Sequence, residues 1–204
     1  MDTYLDQFVD SIKFLEKVDS SFDTKQLDFV AIHNMYKDLD SESTTNYYQS
    51  MHSFLRKASS EYAEYFARTN ELAHQCHSVC ENFKNALNQL PEAEGIDFKV
   101  TVGNVFYKGK NIYRLNRKSL KEIVEAGPQL DKVLDVHVWL TLDDMTVYDL
   151  TILSTLEAKG LEPKGTFPYP SVLVWRHDIK SDFNYKPLLV DDYFFHRVDR
   201  MNYP

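Results

Sequence analysis

Two cysteines, a histidine and an aspartate are the residues of this sequence best suited to nucleophilic chemistry. A thiolate attacks a carbonyl group when a nearby imidazole takes its proton and a carboxylate orients the imidazole. Ser78 and Glu81 form a capping-box pattern, which predicts a helix that begins at Ser78 and carries Cys80 in its first turn. Because the positive end of a helix dipole favours an ionised thiol, Cys80 is the predicted nucleophile.

His137 and Asp149 are predicted to share one face of a β-hairpin. Residues 133–142 and 146–153 are alternating or β-branched, as expected of two paired strands. Side chains alternate between the faces of a strand, so His137 and Asp149 both fall on the face opposite to Val138. A hydrogen bond across this hairpin would fix the imidazole tautomer and leave the second ring nitrogen for a thiol.

Four short motifs follow one another between residues 75 and 152. They are Cys80 with Phe83 and Leu87, Gly95-Ile96 before the strand at 98–103, His137-Val138-Trp139, and Asp149-Leu150-Thr151. This order resembles the transglutaminase-like branch of the papain-like cysteine superfamily. The resemblance implies that Cys80 is the nucleophile, His137 the general base and acid, and Asp149 the residue that orients His137.

The resemblance also implies a reaction class. A thioester on the cysteine would be resolved by water in a peptidase, amidase or deamidase, and by an amine in a transglutaminase. The substrate would be a peptide, a protein or another amide, and the chemistry needs no cofactor. An oxyanion hole would combine the backbone N–H of Cys80 with a donor from Gln75 or His74. Trp139, two residues after His137, is predicted to form a wall of the pocket.

Four alternatives remain open at the level of sequence. Cys76 competes with Cys80 as the nucleophile, and Cys80 also fits an apolar helix stripe that would make it a core residue. His77, Cys76 and Cys80 can share one helical face and bind zinc, whereas His74 points away from Cys76. A non-enzymatic interaction protein would retain the fold and use its N-terminal helices and the aromatic tail at 193–204 to bind a protein partner.

Charge and composition exclude several classes of partner. The 204 residues carry a formal net charge of -8, with 23 basic and 31 acidic side chains. A nucleic-acid groove or an anionic membrane surface would require a concentrated basic face, which is not visible. No basic leader opens the chain and no run of about 18 apolar residues occurs. Two cysteines four positions apart do not staple a domain, so we expect free thiols and a protein that is cytoplasmic or exported without a cleavable signal.

The pattern of apolar residues divides the chain into two regions, with the boundary between residues 74 and 75. Before the division, helical spacing predicts helices near residues 5–18, 27–36 and 48–73. After it, the predicted elements are a strand at 98–107, a helix from Ser119 to Gly127, the hairpin, a helix at 154–160, and strands at 171–175 and 188–190. The predicted fold is therefore α+β. Residues 1–74 form a helical extension or subdomain, and residues 75–204 form a papain- or transglutaminase-like core whose antiparallel sheet packs on the cysteine-bearing helix.

Overall fold

The computed structural model describes residues 2–68, 72–128 and 134–198, and it has the predicted α+β architecture. Within these ranges the α-helices are α1 (Tyr4–Phe14), α2 (Phe29–Ser41), α3 (Asn46–Ala67), α4 (Cys76–Leu87), α5 (Arg117–Ala126), α6 (Ile152–Ala158) and α7 (Phe194–Val198). Short 3₁₀ turns occur at Leu15–Lys17, Thr24–Gln26 and Pro91–Ala93. None of the helices described is long and apolar enough to cross a membrane.

The strands form one antiparallel sheet. They are β1 (Phe98–Tyr107), β2 (Lys110–Asn111), β3 (His137–Leu142), β4 (Val147–Asp149), β5 (Leu173–Trp175) and β6 (Phe183–Val190). Their order along the sheet is β2-β1-β3-β4-β5, and β6 pairs with β1. The long central strand β1 has the predicted bounds, and its β-branched residues suit a position with neighbours on both edges.

Each face of the sheet is covered by helices. On one face, Val138 and Leu140 of β3 pack with Cys80 and Phe83 of α4 and with Leu55 of α3. On the other face, α1, α6 and the aromatic residues of the central strands form a second apolar cluster. Both clusters contain residues from before and after Gln75. Burial of these two faces is the main source of stability for such a layered domain.

A glycine fixes how closely the central strands approach one another. Gly103 of β1 lies opposite His137 of β3, and the pairing of β1 with β6 shifts register between Val102 and Gly103. A Cβ atom at Gly103 would collide with the carbonyl oxygen of Lys186 and with the ring of Trp139. Any larger residue would therefore push β6 or Trp139 away from the start of β3.

Several predicted boundaries are wrong. The second helix, predicted near residues 27–36, begins at Phe29 with Asp28 as its N-cap and ends at Ser41. The third ends at Ala67, and residue 69 lies outside the described residues. The strand predicted through Leu153 ends at Asp149, because α6 begins at Ile152. Residue 133 of the predicted hairpin and residues 199–204 of the predicted tail also lie outside the described residues.

Candidate active site

The cysteine-bearing helix begins earlier than the sequence pattern predicts. Helix α4 starts at Cys76, and Gln75 occupies the N-cap position without a side-chain capping bond. The predicted N-cap at Ser78 is therefore wrong: its hydroxyl donates to the backbone carbonyl oxygen of Gln75 over 3.1 Å. Cys76 thus occupies the first helical position, where backbone N–H groups lack helical partners, and Cys80 lies one turn further along.

The structure brings His137 and Asp149 together across the hairpin. His137 Nε2 lies 2.5 Å from Asp149 Oδ2, and both side chains are fully buried. The backbone N–H groups of Thr151 and Ile152 donate to Asp149 Oδ1 over 3.0 and 2.9 Å. The hydroxyl of Tyr185 donates to Asp149 Oδ2 over 2.8 Å. Burial opposes ionisation of Asp149, but the charge of His137 and these hydrogen bonds lower the pKa of its carboxyl below the usual value.

The surroundings of His137 favour the protonated form of its imidazole. Burial opposes its charge, but the charge and hydrogen bond of Asp149, together with Cys76, raise the pKa of His137 to about 10. Because Nε2 of His137 is bonded to Asp149, Nδ1 is the ring nitrogen that remains for the thiol of Cys76. Nδ1 has no hydrogen bond of regular geometry to any residue in the described ranges. An inward-facing nitrogen in this state is available to a thiol or to a reacting group.

Cys76 is the thiol whose pKa His137 lowers. It lies at the same end of the sheet, with its Sγ 3.6 Å from the carbonyl oxygen of Val136. Burial opposes ionisation of this thiol, but hydrogen bonding with His137 and His77 and the charges of both outweigh burial and lower the pKa of Cys76 to about 6. A thiol with this pKa is largely ionised at neutral pH.

Cys80 has the opposite environment. Its Sγ lies 3.5 Å from the carbonyl oxygen of Val138, inside the apolar cluster between α4 and the sheet. Burial, followed by the negative charges of Asp149 and Cys76, raises the pKa of Cys80 above its usual value. The structure therefore joins Cys76, rather than Cys80, to the pair of His137 and Asp149.

Aromatic side chains enclose the imidazole. The ring of Tyr113 stacks on His137, with centroids 4.8 Å apart and planes inclined by 19°. The Lys159 ammonium lies 4.9 Å from the centroid of the Tyr113 ring. The ring centroid of Trp139 lies 6.0 Å from that of His137, and Trp139 Nε1 donates to the hydroxyl of Tyr4 over 3.0 Å. Trp139 is fully buried, so it packs near the histidine and presents no surface to a ligand.

The predicted oxyanion residues directly precede the thiol of Cys76. His74 and Gln75 are exposed, and His74 adopts a positive φ of 64° that turns the chain into the helix. The side-chain oxygen of Gln75 accepts a hydrogen bond from Ser78 over 3.1 Å. This bond orients the Gln75 amide at the N-terminus of α4, where the backbone N–H of Cys76 also lies. The two donors predicted for Cys80 are thus adjacent to Cys76 instead.

Comparison with known proteins does not assign this arrangement to a family. No protein-family model, no curated protein and no solved structure matches the chain. The functional argument therefore depends on the geometry of the site.

The zinc alternative finds no geometric support in the described residues. No group of three or more histidine, cysteine, aspartate or glutamate side chains within them is arranged to hold a metal ion. His77 interacts with the thiol of Cys76, and its ring lies 5.5 Å from the ring of Phe195. The polar groups around Cys76 instead act on the protonation state of its thiol.

A second buried polar network supports the same hairpin. His52 of α3 contacts Tyr148 of β4 and Asp144 of the hairpin turn, each over 2.7 Å. Arg176 donates to the backbone carbonyl of Asp144 over 3.1 Å and to Asp40 of α2 over 2.9 Å. These contacts attach the N-terminal helices to the strands that carry His137 and Asp149.

Sequence analysis missed three contributors. Tyr113 has no local signal, because it lies in an irregular segment far from His137 in sequence. The network of His52 and Asp144 joins residues 92 positions apart. For Tyr185 a signal did exist: its apolar strand alternates between buried and exposed residues from Phe183 onward, ahead of the predicted start at residue 188.

Proposed function

We propose that this protein is a cysteine-dependent acyl-transfer enzyme in which Cys76 is the nucleophile, His137 the general base and acid, and Asp149 the orienting residue. The contact between Asp149 and Nε2 of His137 carries this proposal, because it leaves Nδ1 for the thiol whose ionisation His137 favours. The order of motifs and the α+β architecture also support a papain- or transglutaminase-like fold for the core.

The proposed reaction proceeds in two steps. The Cys76 thiolate adds to the carbonyl carbon of an amide, and collapse of the adduct breaks the C–N bond while the His137 imidazolium gives its proton to the leaving amine. A thioester and a neutral imidazole result. His137 then takes a proton from water or from an acceptor amine, which attacks the thioester and releases the thiolate with a carboxylic acid or a new amide. The backbone N–H of Cys76 and the Gln75 side chain are the proposed oxyanion donors.

A second candidate function is that of a non-enzymatic interaction protein. The burial of the site favours it: Cys76 is only 4% exposed, and His137 and Asp149 are fully buried. A purely structural triad would use the same hydrogen bonds to hold α4 against the hairpin. The two candidates differ in one measurable property, which is whether the folded protein exposes a reactive thiolate at Cys76.

The deciding experiment measures the rate of iodoacetamide alkylation at each cysteine against pH in the native protein, by mass spectrometry. For the enzyme we expect Cys76 to react with a midpoint well below the usual thiol pKa of about 8.5, while Cys80 in the same molecule stays unreactive. His137→Gln should move the midpoint of Cys76 upward. If neither cysteine reacts until the protein is unfolded by urea, the acyl-transfer proposal fails and the interaction protein replaces it.

A further inference from the structure

A groove of about 520 Å³ lies next to the candidate active site. Its walls come from the segment before α4, from one side of α6, and from the loop that follows α6. The residues that define this groove are Ala73, Ser154, Ala158, Lys164, Phe167 and Tyr169. A volume of this size is in the range of binding clefts for small ligands and peptide side chains.

Two of the segments that line the groove also adjoin the triad. Ala73 precedes Cys76 by three residues in the turn that leads into α4. Helix α6 begins three residues after Asp149, and its first N–H, that of Ile152, donates to the Asp149 carboxylate over 2.9 Å. The residue after α6, Lys159, contacts the Tyr113 ring that stacks on His137. A group seated in the groove therefore lies beside the elements that hold all three reacting residues.

The chemistry of the walls selects an apolar group. Leucine, alanine, phenylalanine and tyrosine residues are five of the nine that line the groove. Glu157 also borders the groove, but its carboxylate accepts the backbone N–H groups of Gly165 over 3.1 Å and of Phe167 over 2.9 Å. Both Glu157 oxygens thus bond the backbone of the loop and hold it in place.

One positive charge at the groove remains without a close partner. Lys164 is exposed and forms neither a salt bridge nor a hydrogen bond within the described residues; its charge acts on Glu157 only from a distance. The chain has a net charge of -8, so most of its surface repels an anionic group, whereas Lys164 attracts one locally.

We infer that this groove binds the acyl donor of the proposed reaction through a large apolar side chain, preferably aromatic, flanked by an acidic residue that faces Lys164. The inference rests on the proposed function and gives its substrate class: peptides or proteins with an acidic and apolar segment next to the reacting carbonyl. Apolar contact with Phe167 and Tyr169 supplies the affinity, and Lys164 supplies the preference for charge.

The test uses three peptidyl chloromethyl ketones, which alkylate the thiolate by displacing chloride and need no acceptor. They are the acetyl-Glu-Phe, acetyl-Glu-Gly and acetyl-Lys-Phe compounds, and the second-order rate at Cys76 is divided by the rate with iodoacetamide. We expect the Glu-Phe compound to exceed the Glu-Gly compound by about tenfold or more. It should exceed the Lys-Phe compound by about threefold, as suits one exposed charge pair.

Two variants and two matched controls locate the effect in the groove. Ala158→Trp fills the groove from an exposed helix position and should remove the preference for phenylalanine, whereas Ala126→Trp, at the exposed end of α5, should retain it. Lys164→Glu should reverse the preference for the acidic probe, whereas Lys118→Glu makes the same change of charge on α5 and should leave it unaltered.

Each outcome has a distinct meaning. Equal rates for the Glu-Phe and Glu-Gly compounds, or for the Glu-Phe and Lys-Phe compounds, would overturn the proposal that the groove binds the substrate. Iodoacetamide reactivity at Cys76 would still support the enzyme. Loss of the preference in the α5 controls would likewise overturn it. If Cys76 reacts with no reagent, the proposed function fails first and the inference fails with it.

Discussion

The charged state proposed for Cys76 and His137 makes a specific prediction about stability against pH. In the folded protein the pKa of Cys76 is lowered to about 6 and that of His137 is raised to about 10, so near neutral pH the pair holds one proton, on His137. In the unfolded chain the thiol pKa is about 8.5 and the imidazole pKa about 6.5, so the pair again holds one proton, on the cysteine. Because both states bind the same number of protons, the pair adds almost no slope to the stability between about pH 7 and 8.

When Cys76 is replaced with serine, the folded and unfolded states no longer bind the same number of protons. His137 remains beside Asp149, which is the largest contributor that raises its pKa, so the folded variant still holds the imidazole proton. In the unfolded variant, the imidazole of His137 has lost this proton above about pH 6.5. A raised pKa stabilises the folded state fully below the unfolded value, and this contribution is lost as the pH rises toward the folded value. The variant should therefore lose about 1 kcal/mol relative to wild type between about pH 7 and 8.

The assay is equilibrium unfolding by urea at about pH 7 and about pH 8, monitored by tryptophan fluorescence. Cys80→Ser is the matched control: the raised pKa of the Cys80 thiol keeps it protonated in the folded protein over this range, so the control should follow wild type. If Cys76→Ser and wild type keep a constant difference in free energy of unfolding, the thiol and the imidazole are both neutral in the folded state. The thiolate nucleophile would then be refuted, whatever the distances in the site.

Three further predictions concern residues that hold the site. Asp149→Asn should raise the pH midpoint of Cys76 alkylation by about one to two units, because a hydrogen bond to a charged group is worth about 1.5–3 kcal/mol; an unchanged midpoint would separate the carboxylate from the thiol. Gly103→Ala should lower the free energy of unfolding by about 2–3 kcal/mol in urea titrations, because its Cβ would collide with the Lys186 carbonyl. Arg176→Leu should cost about 2–3 kcal/mol by the same assay, because a buried aspartate of the hairpin turn loses its cation.

The central strand and the hairpin could be predicted from sequence because their signal is local. Alternation along residues 133–142 and 146–153 places His137 and Asp149 on one face, and this assignment depends only on the two-residue period of a strand. Capping patterns located the helices less exactly: Ser78 lies inside α4, and Ser119, the predicted start of the next helix, lies inside α5, whose N-cap is Asn116. The fold class follows from these local patterns together.

The position of the cysteine helix could not be predicted because its start has no sequence signature. Gln75 occupies the N-cap position without a capping side chain, and a positive φ at His74, a non-glycine residue, turns the chain before it. Ser78 and Glu81 satisfy the capping pattern, but Ser78 is already the third residue of α4 and its hydroxyl donates to Gln75 instead. Because the predicted helix start is two residues late, the prediction selects Cys80 as the nucleophile in place of Cys76. Contacts such as that of His52 with Asp144 are equally invisible, because they depend on tertiary packing.

The two cysteines provide an internal comparison that argues for function over packing. Cys76 and Cys80 are both buried on one helix, and each thiol faces a backbone carbonyl of the β3 segment. If burial alone determined their properties, both pKa values would rise. The pKa of Cys80 does rise, since the charges that act on it are negative, whereas that of Cys76 falls because His137 and His77 both act on it. A small apolar core residue at position 76 would not need two histidines beside it. A lowered pKa at Cys76 next to a raised pKa at His137 is what the proposed thiolate nucleophile requires.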